Sequence, residues 1–325
     1  MKIAWVGIGH MGFPMVERLL KSGHRVMVWN RTREKAEPLV AMGAIVAERL
    51  GDLTDADVLF TMVSTGKDLA EVCFGEGGVM TGDSGQRPQI LVDCSSIGME
   101  ESARLREKLT AASVAYIAAP VSGNGKCVAA GKLSSVASGP KDAFDKVEDL
   151  VKTFAVRGVS YVGNGELARI CKIAHNVMLG VVSENLMEIT ILAEKAGISR
   201  HAFLEFMNNS VLGSIFTRYK TPALVNLDWT RTFTPTLLRK DLDLGLQSAR
   251  ELGVAMPVTA VAREVIQMHI GMCSVRPDPD TCLAQDFAAM LETVANLAGV
   301  RLEPENREVA SGLEAEYSAV TTADL

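Results

Sequence analysis

An α/β protein is predicted, with an N-terminal doubly wound domain followed by an all-α C-terminal domain, and three features of the 325-residue chain predict it. A short apolar strand at the start runs straight into a glycine-rich turn and a helix. Strand-like and helix-like segments then alternate to about residue 164, and long helices with almost no strand signal follow.

The first strand, Ile3 to Val6, is β-branched and aromatic in character. It leads into Gly7-Ile-Gly9-His-Met-Gly12, and Met15-Val16-Glu17-Arg18-Leu19-Leu20 then repeats at helical spacing. Strand, Gly-x-Gly-x-x-Gly and helix in that order are the pattern of a dinucleotide site. Gly7 permits the tight turn, Gly9 lets backbone approach a pyrophosphate, and Gly12 lets the helix pack closely on the strand. The helix N-terminus offers free N–H groups to the anion, with His10 and Met11 in the loop that the cofactor would cover.

The second strand, Arg25 to Trp29, ends where a carboxylate would hold the ribose diol of NAD. Asn30-Arg31-Thr32 stands there instead. A carboxylate would repel a 2′-phosphate, whereas Arg31 and Thr32 would bind one, so NADP(H) is expected in preference to NAD(H). The plainer alternative is a solvated turn with a surface arginine.

Further strands are expected at Val58 to Val63, Ile90 to Cys94, Ala115 to Ala118 and Val136 to Ala137. Helical patterns cover Ala36 to Met42, Glu100 to Ala112 and Lys141 to Thr153. This alternation argues for a mostly parallel sheet covered on both faces, a Rossmann-type domain over residues 1–164, with ligand beyond the strands' carboxyl ends. Val63 and the loop after Ile90 to Cys94 fall on that edge.

After Val162-Gly163-Asn164-Gly165 the pattern turns helical, beginning with Glu166 to Ala196. Arg200 to Asn208, Leu237 to Leu252, Val258 to Met272 and Asp286 to Ala298 follow, giving a helical substrate and dimerisation domain over residues 165–300. Residues 301–325, acidic and rich in small side chains, are expected to be loosely held or disordered.

Composition narrows the class. Hydrophobic residues make up 48% and charged residues 22%, ordinary for a packed cytosolic protein, and the net charge of −6 removes the usual driving force for nucleic-acid binding. Six cysteines without paired C-x-x-C spacing read as reduced thiols, and five scattered histidines without H-E-x-x-H argue against a metal. The first residues are a core strand rather than a signal peptide, so the cytoplasm is the expected location. Glu184 and Glu188 interrupt the apolar run from Val177 to Leu192, which reads as a buried helix, with no membrane partner.

Lys172 and Asn176 lie four apart, on one helix face, in a largely apolar segment. The lysine has either snorkelled outward or been kept to exchange a proton with a substrate hydroxyl. Arg169, one turn earlier, is a nearby cation; His175 points about 100° away from Asn176 and reads as packing or surface. Asp93-Cys94-Ser95-Ser96 and Ala119-Pro120-Val121-Ser122-Gly123-Asn124 supply small polar groups in loops. Ser122 with the amides of Gly123 and Asn124 could cradle a carboxylate, and Ser96 could border the nicotinamide; each is also an ordinary turn.

Taken together, these motifs give a chain that resembles the β-hydroxyacid dehydrogenase family over residues 1 to 298. Gly7-x-Gly9-x-x-Gly12 with Pro14-Met15, Asp93-Cys-Ser-Ser96, Ala119-Pro-Val-Ser122-Gly123, and Gly163-x-Gly165 followed by Lys172-x-x-x-Asn176 match in order. Leu238-Arg-Lys240-Asp241-Leu242 resembles a late family segment. The resemblance implies Lys172 as general acid/base, Asn176 as substrate-orienting, Ser122 and Gly123 on the substrate's acid group, Ser96 near the nicotinamide ribose and Lys240 on the cofactor side. It also implies Phe233 as a substrate-lining residue, and a homodimer or homotetramer. Asn124 departs from the family's second loop glycine, and Ser95-Ser96 from its Ser-Thr.

The resulting expectation is an NADP(H)-dependent oxidoreductase acting on a small 3-hydroxy acid or the matching semialdehyde or keto acid. An imine reductase is the enzymatic rival, disfavoured by lysine at 172, and a non-catalytic NADP sensor or scaffold is the rival of another class.

Overall fold

The computed structural model describes residues 1–81 and 87–314. Chain contacts divide it into two compact units, Met1–Lys172 and Ile173–Leu325.

The first unit is built on short strands rich in β-branched and aromatic residues, of which Ile3–Val6, Val58–Thr61 and Ile90–Asp93 are buried on both faces, as the middle of a parallel sheet requires. In order come β1 (Ile3–Val6), α1 (Gly12–Lys21), β2 (Val26–Trp29), β3 (Ile45–Val46), β4 (Val58–Thr61), α2 (Gly66–Phe74), β5 (Ile90–Asp93), α3 (Met99–Ala111) and β6 (Ala115–Ala118). The sheet order is β3-β2-β1-β4-β5-β6, all parallel, with Val6 level with Trp29 and Thr61. The order reverses around β1, so the glycine turn opens at the switch point where doubly wound sheets bind dinucleotides. Trp5 and Phe60 stack at 5.4 Å under the edge of Phe154, filling one side of the sheet.

A second, three-stranded sheet follows: β7 (Val121–Ser122), α4 (Gly125–Ala129), β8 (Ser134–Ala137), α5 (Lys141–Phe154) and β9 (Val159–Tyr161), in the order β7-β8-β9. Val136 and Ala137 therefore form a strand, as expected, but outside the main sheet. Ala36 to Met42, expected to be helical, forms 3-10 turns instead, with Pro38 in the first of them. Proline has no N–H to donate, which suits it to a helix start and interrupts a longer run.

The second unit is helical: the greater part of α6 (Leu167–Lys195), then α7 (Arg200–Asn209), α8 (Ile215–Asn226), α9 (Pro235–Leu252), α10 (Pro257–Ser274), α11 (Pro279–Ala284) and α12 (Met290–Leu297). Its core gathers Leu186, Leu204, Leu238, Leu242, Ile266 and Leu291. By length and composition α6 could cross a membrane, yet 56% of its most apolar window is buried within the protein.

Two expectations are corrected here. Cys273 and Cys282 form a disulfide, and Cys73, Cys94, Cys127 and Cys171 take no part in one. The turn through Pro277 and Pro279 folds α11 back on the end of α10 and brings the two Cα atoms to 5.5 Å, a pairing that spacing in the chain does not reveal. The stretch from Leu302 is not loosely held throughout. Glu305 accepts from the backbone N–H of Arg200, Asn226 exchanges hydrogen bonds with the backbone of Arg307, and Leu302 and Val309 pack on the core. Residues 315–325 lie outside the described residues.

Candidate active site

The dinucleotide cleft is shaped first by the glycines. Gly7 has φ +100°, a left-handed conformation, and a Cβ there would stand 2.1 Å from the carbonyl oxygen of Met62. At Gly12 a Cβ would stand 1.9 Å from the Gly7 carbonyl oxygen, so α1 could not pack this closely with any side chain at that position. Gly9 faces open space, with nothing within 4 Å of a built Cβ. Bare backbone that faces a cavity and opens a helix fits a pyrophosphate.

Gly7, Gly9, Asn30, Arg31, Thr32 and Val63 line one cleft of about 250 Å³. Asn30 braces it: its side-chain oxygen accepts from Ile8 N at 2.8 Å and its amide donates to the Thr32 carbonyl at 2.7 Å. The second strand's end is thus tied to the glycine turn. Arg31 is exposed, with Nη1 3.7 Å from Asp68. Lys35, Asp68 and Glu71 also line the cleft and were missed by sequence reasoning. The signal for Lys35 was available, since it stands four residues after Arg31, one turn away if the chain coils there. A cationic pair of Arg31 and Lys35 suits a 2′-phosphate.

Beside the cleft, one buried carboxylate ties together the ends of two neighbouring strands, β4 and β5. Asp93, at the end of β5, accepts from Thr61 Oγ1 at 2.7 Å and from Ser95 Oγ at 2.6 Å, and Val63 N donates to Ser95 Oγ at 2.9 Å. Ser96, half-buried, follows directly. Arg169 of α6 is fully buried and ion-paired with Asp93. Lys172 lies three residues further along the same helix and is half-buried.

Ser122 is half-buried in β7 and Gly123 has φ +128°. Asn124 caps α4, its side chain accepting from Cys127 N at 3.1 Å, which gives the residue a structural task beside the expected substrate contact. His10 is exposed, and Met11 stands at the N-cap of α1.

In the second unit, Asn176 is buried and donates to Asp241 Oδ2 at 2.6 Å, with its oxygen 2.9 Å from His175 Nδ1. Lys240 Nζ stands 3.3 Å from Asp241 Oδ1 and borders a groove along α9 and α10. Asp241 therefore holds both neighbours, a role the sequence did not disclose. Phe233 is half-buried against Phe287, with its backbone N–H on Asp286. Among the described residues one group, His269, Cys273 and Cys282, clusters with ligand-type atoms within 4.8 Å, and its two sulfurs are joined to each other.

Comparison with known proteins agrees with this fold. Residues 2–163 match the family of the NAD-binding domain of 6-phosphogluconate dehydrogenase, and residues 165–295 match the NAD-binding domain of NADP-dependent 3-hydroxyisobutyrate dehydrogenase. The chain is 29% identical over 275 residues to a 3-hydroxyisobutyrate dehydrogenase of Pseudomonas aeruginosa, covering 82% of this chain and 91% of that one. It is also 29% identical to a 2-hydroxy-3-oxopropionate reductase of Escherichia coli, covering 82% and 90%. A solved 3-hydroxyisobutyrate dehydrogenase from Salmonella typhimurium superposes with a TM-score of 0.79 at 22% identity, over 90% of this chain and 99% of that one, and so shares the fold.

Proposed function

Because the chain belongs to the β-hydroxyacid dehydrogenase family and is an NAD(P)-dependent hydroxyacid dehydrogenase, we propose a narrower activity for it. It transfers a hydride between NADP(H) and a small 3-hydroxy acid or the corresponding semialdehyde or keto acid, with Lys172 as general acid/base. The observation that carries this reading is the cleft wall at the end of β2, where Arg31, Thr32 and Lys35 stand in place of a ribose-binding carboxylate.

A bound nicotinamide supplies the hydride donor or acceptor. The chain supplies the rest. The backbone of Gly7 to Gly12 and the start of α1 would hold the pyrophosphate, and Arg31 with Lys35 the 2′-phosphate. In oxidation Lys172 takes the hydroxyl proton at its Nζ; in reduction it returns that proton to the forming alkoxide. Asn176, itself fixed by Asp241, orients the substrate, and Ser122 with the Gly123 and Asn124 amides binds its carboxylate. Val63 and Ser96 border the nicotinamide side, Lys240 lies toward the cofactor, and Phe233 lines the substrate. We further propose a homodimer or homotetramer in the cytoplasm; exposed apolar side chains on α6, Met178 and Leu192 among them, support association of copies.

The test is turnover with NADPH and then NADH across glyoxylate, succinic and malonic semialdehydes and a cyclic imine, followed by absorbance of the reduced nicotinamide. Turnover of malonic semialdehyde, whose reduction gives a 3-hydroxy acid, with NADPH favoured is the expected result. Reduction of the imine alone, or a preference for NADH, would count against the proposal.

A further inference from the structure

We propose that Arg169 is a positioning residue for the reaction, a buried clasp that fixes Lys172 relative to the Ser95-Ser96 loop; the inference rests on the reading of Lys172 as the general acid/base.

Arg169 spends all of its guanidinium on one small region. It pairs with the Asp93 carboxylate, donates to the Ser95 carbonyl, donates to Tyr116 Oη at 2.6 Å and reaches Ser102 Oγ at 3.2 Å. Those four partners come from the end of β5 and its loop, from β6 and from α3. Each is buried, and the arginine is 1% exposed. The Ser95 carbonyl belongs to the peptide link that carries Ser96, and the Ser95 hydroxyl accepts from Val63 N. Fixing Arg169 therefore fixes the two residues proposed to border the nicotinamide.

On the helix side the geometry is as tight. Lys172 follows Arg169 by three residues, a rise of about 4.5 Å and most of a turn, so any rotation or slide of the first turns of α6 moves both. The neighbouring Ala168 N–H donates to Ser138 Oγ at 3.0 Å, and Ser138 Oγ donates to the Gly165 carbonyl, which ties the helix start to the second sheet. Packing alone would hold a helix against a sheet more cheaply, because burying a charge pair costs more than burying apolar groups of similar size. A planar fork that meets four acceptors in one geometry adds directional registration, which apolar contact does not.

The test is a double-mutant cycle in the full-length protein with NADPH and malonic semialdehyde, whose reduction gives a 3-hydroxy acid. Arg169→Lys keeps a charge beside Asp93 and loses the fork. Expected for it are a kcat lower by about 10–100-fold, as for a misplaced reacting group, and changes under about 3-fold in aldehyde KM and NADPH Kd. Combined with Lys172→Ala, it should add no further loss, because a residue that acts through the lysine has nothing left to position. If Arg169→Lys does not fold, Tyr116→Phe, which removes a single partner and leaves the ion pair, takes its place in the same cycle, with a smaller kcat loss and the same non-additivity expected.

Unchanged kcat in the folded variant, or losses that multiply in the double variant, would make Arg169 a core ion pair and overturn the inference. Full turnover by Lys172→Ala alone would overturn the reading of Lys172, and this inference with it. That failure is recognisable because it occurs with Arg169 intact.

Discussion

Arg31 and Asp68 face each other across the mouth of the glycine cleft, with Nη1 3.7 Å from Oδ1, the arginine exposed and the carboxylate partly covered. The pair is loose enough to open for an anion, since exposed ion pairs contribute about 0–1 kcal/mol. Arg31→Asp should lower kcat/KM for NADP about 10–100-fold, the range expected when a charge-assisted contact is replaced by repulsion, and change the NAD value far less. Asp68→Asn should leave NADP binding equal or up to about 5-fold tighter. Steady-state kinetics with both cofactors check these values, and a wild type that prefers NAD would remove their basis.

Lys172→Ala should reduce kcat by at least about 10²-fold while the NADPH Kd stays within about 2-fold, because a general acid/base acts on the chemical step and not on cofactor binding. Fluorescence titration with NADPH and single-turnover rates separate the two effects. Equal loss of both would instead indicate a collapsed cleft.

How much of this was legible in the chain differs from element to element. The main parallel strands were readable because each is a short apolar run next to a helix, and the glycine loop because its three spacings are rigid. Gly7 and Gly12 are in contact, so the pattern records a packing constraint. The strands at 45–46, 121–122 and 159–161 were not readable, since two or three residues carry no period and their pairing depends on tertiary register. Lys172 was visible as a charge on an apolar helix. What Arg169 does was not, because its partners lie 53 to 76 residues away in the chain. Cys273 and Cys282 were misread for a different reason: they are only nine residues apart, but their approach is set by a turn between two helices that no pattern in the chain reports.

Glu184 is buried on α6 and its Oε2 has no hydrogen-bond partner. Burial, with Glu188 nearby, pushes its carboxyl up to about 7 from 4.5. The folded state therefore binds a proton more tightly than the unfolded chain, so the contribution is fully present below about pH 4.5 and is lost as the pH rises through about 7. Glu184→Gln keeps the shape without the charge. It should raise Tm at pH 8 by several degrees, for a gain on the order of 2 kcal/mol, and leave Tm at pH 4.5 nearly unchanged. Scanning calorimetry at the two pH values is the measurement; equal shifts at both would remove the titration as the cause.

The Cys273–Cys282 disulfide spans nine residues and staples α10 to α11. Chain-entropy arithmetic for a loop of that size gives about 2.5–3 kcal/mol. Cys273→Ser, or a phosphine reductant, should lower Tm by roughly 5–10 °C. Denatured protein should titrate four thiols without reductant and six with it, given four cysteines outside the disulfide and the bonded pair. Six thiols in both cases would show that the bond does not form in solution.

α6 is one unbroken helix of 29 residues, and the division between the two compact units falls inside it, after Lys172. The residues proposed for proton transfer and its alignment belong, by their contacts, to the nucleotide-binding unit, although most of their helix does not. Domain exchange between relatives therefore has an awkward splice point. A chimera joined in the loop at 163–165, the natural-looking seam, would take its arginine and lysine from one parent and the Asp93 loop from the other. Recombination that keeps Arg169 and Lys172 with the Asp93 loop has to cut inside the helix, after Lys172, and a helical unit grafted at 163–165 should work only when it brings an arginine that the recipient's aspartate can hold.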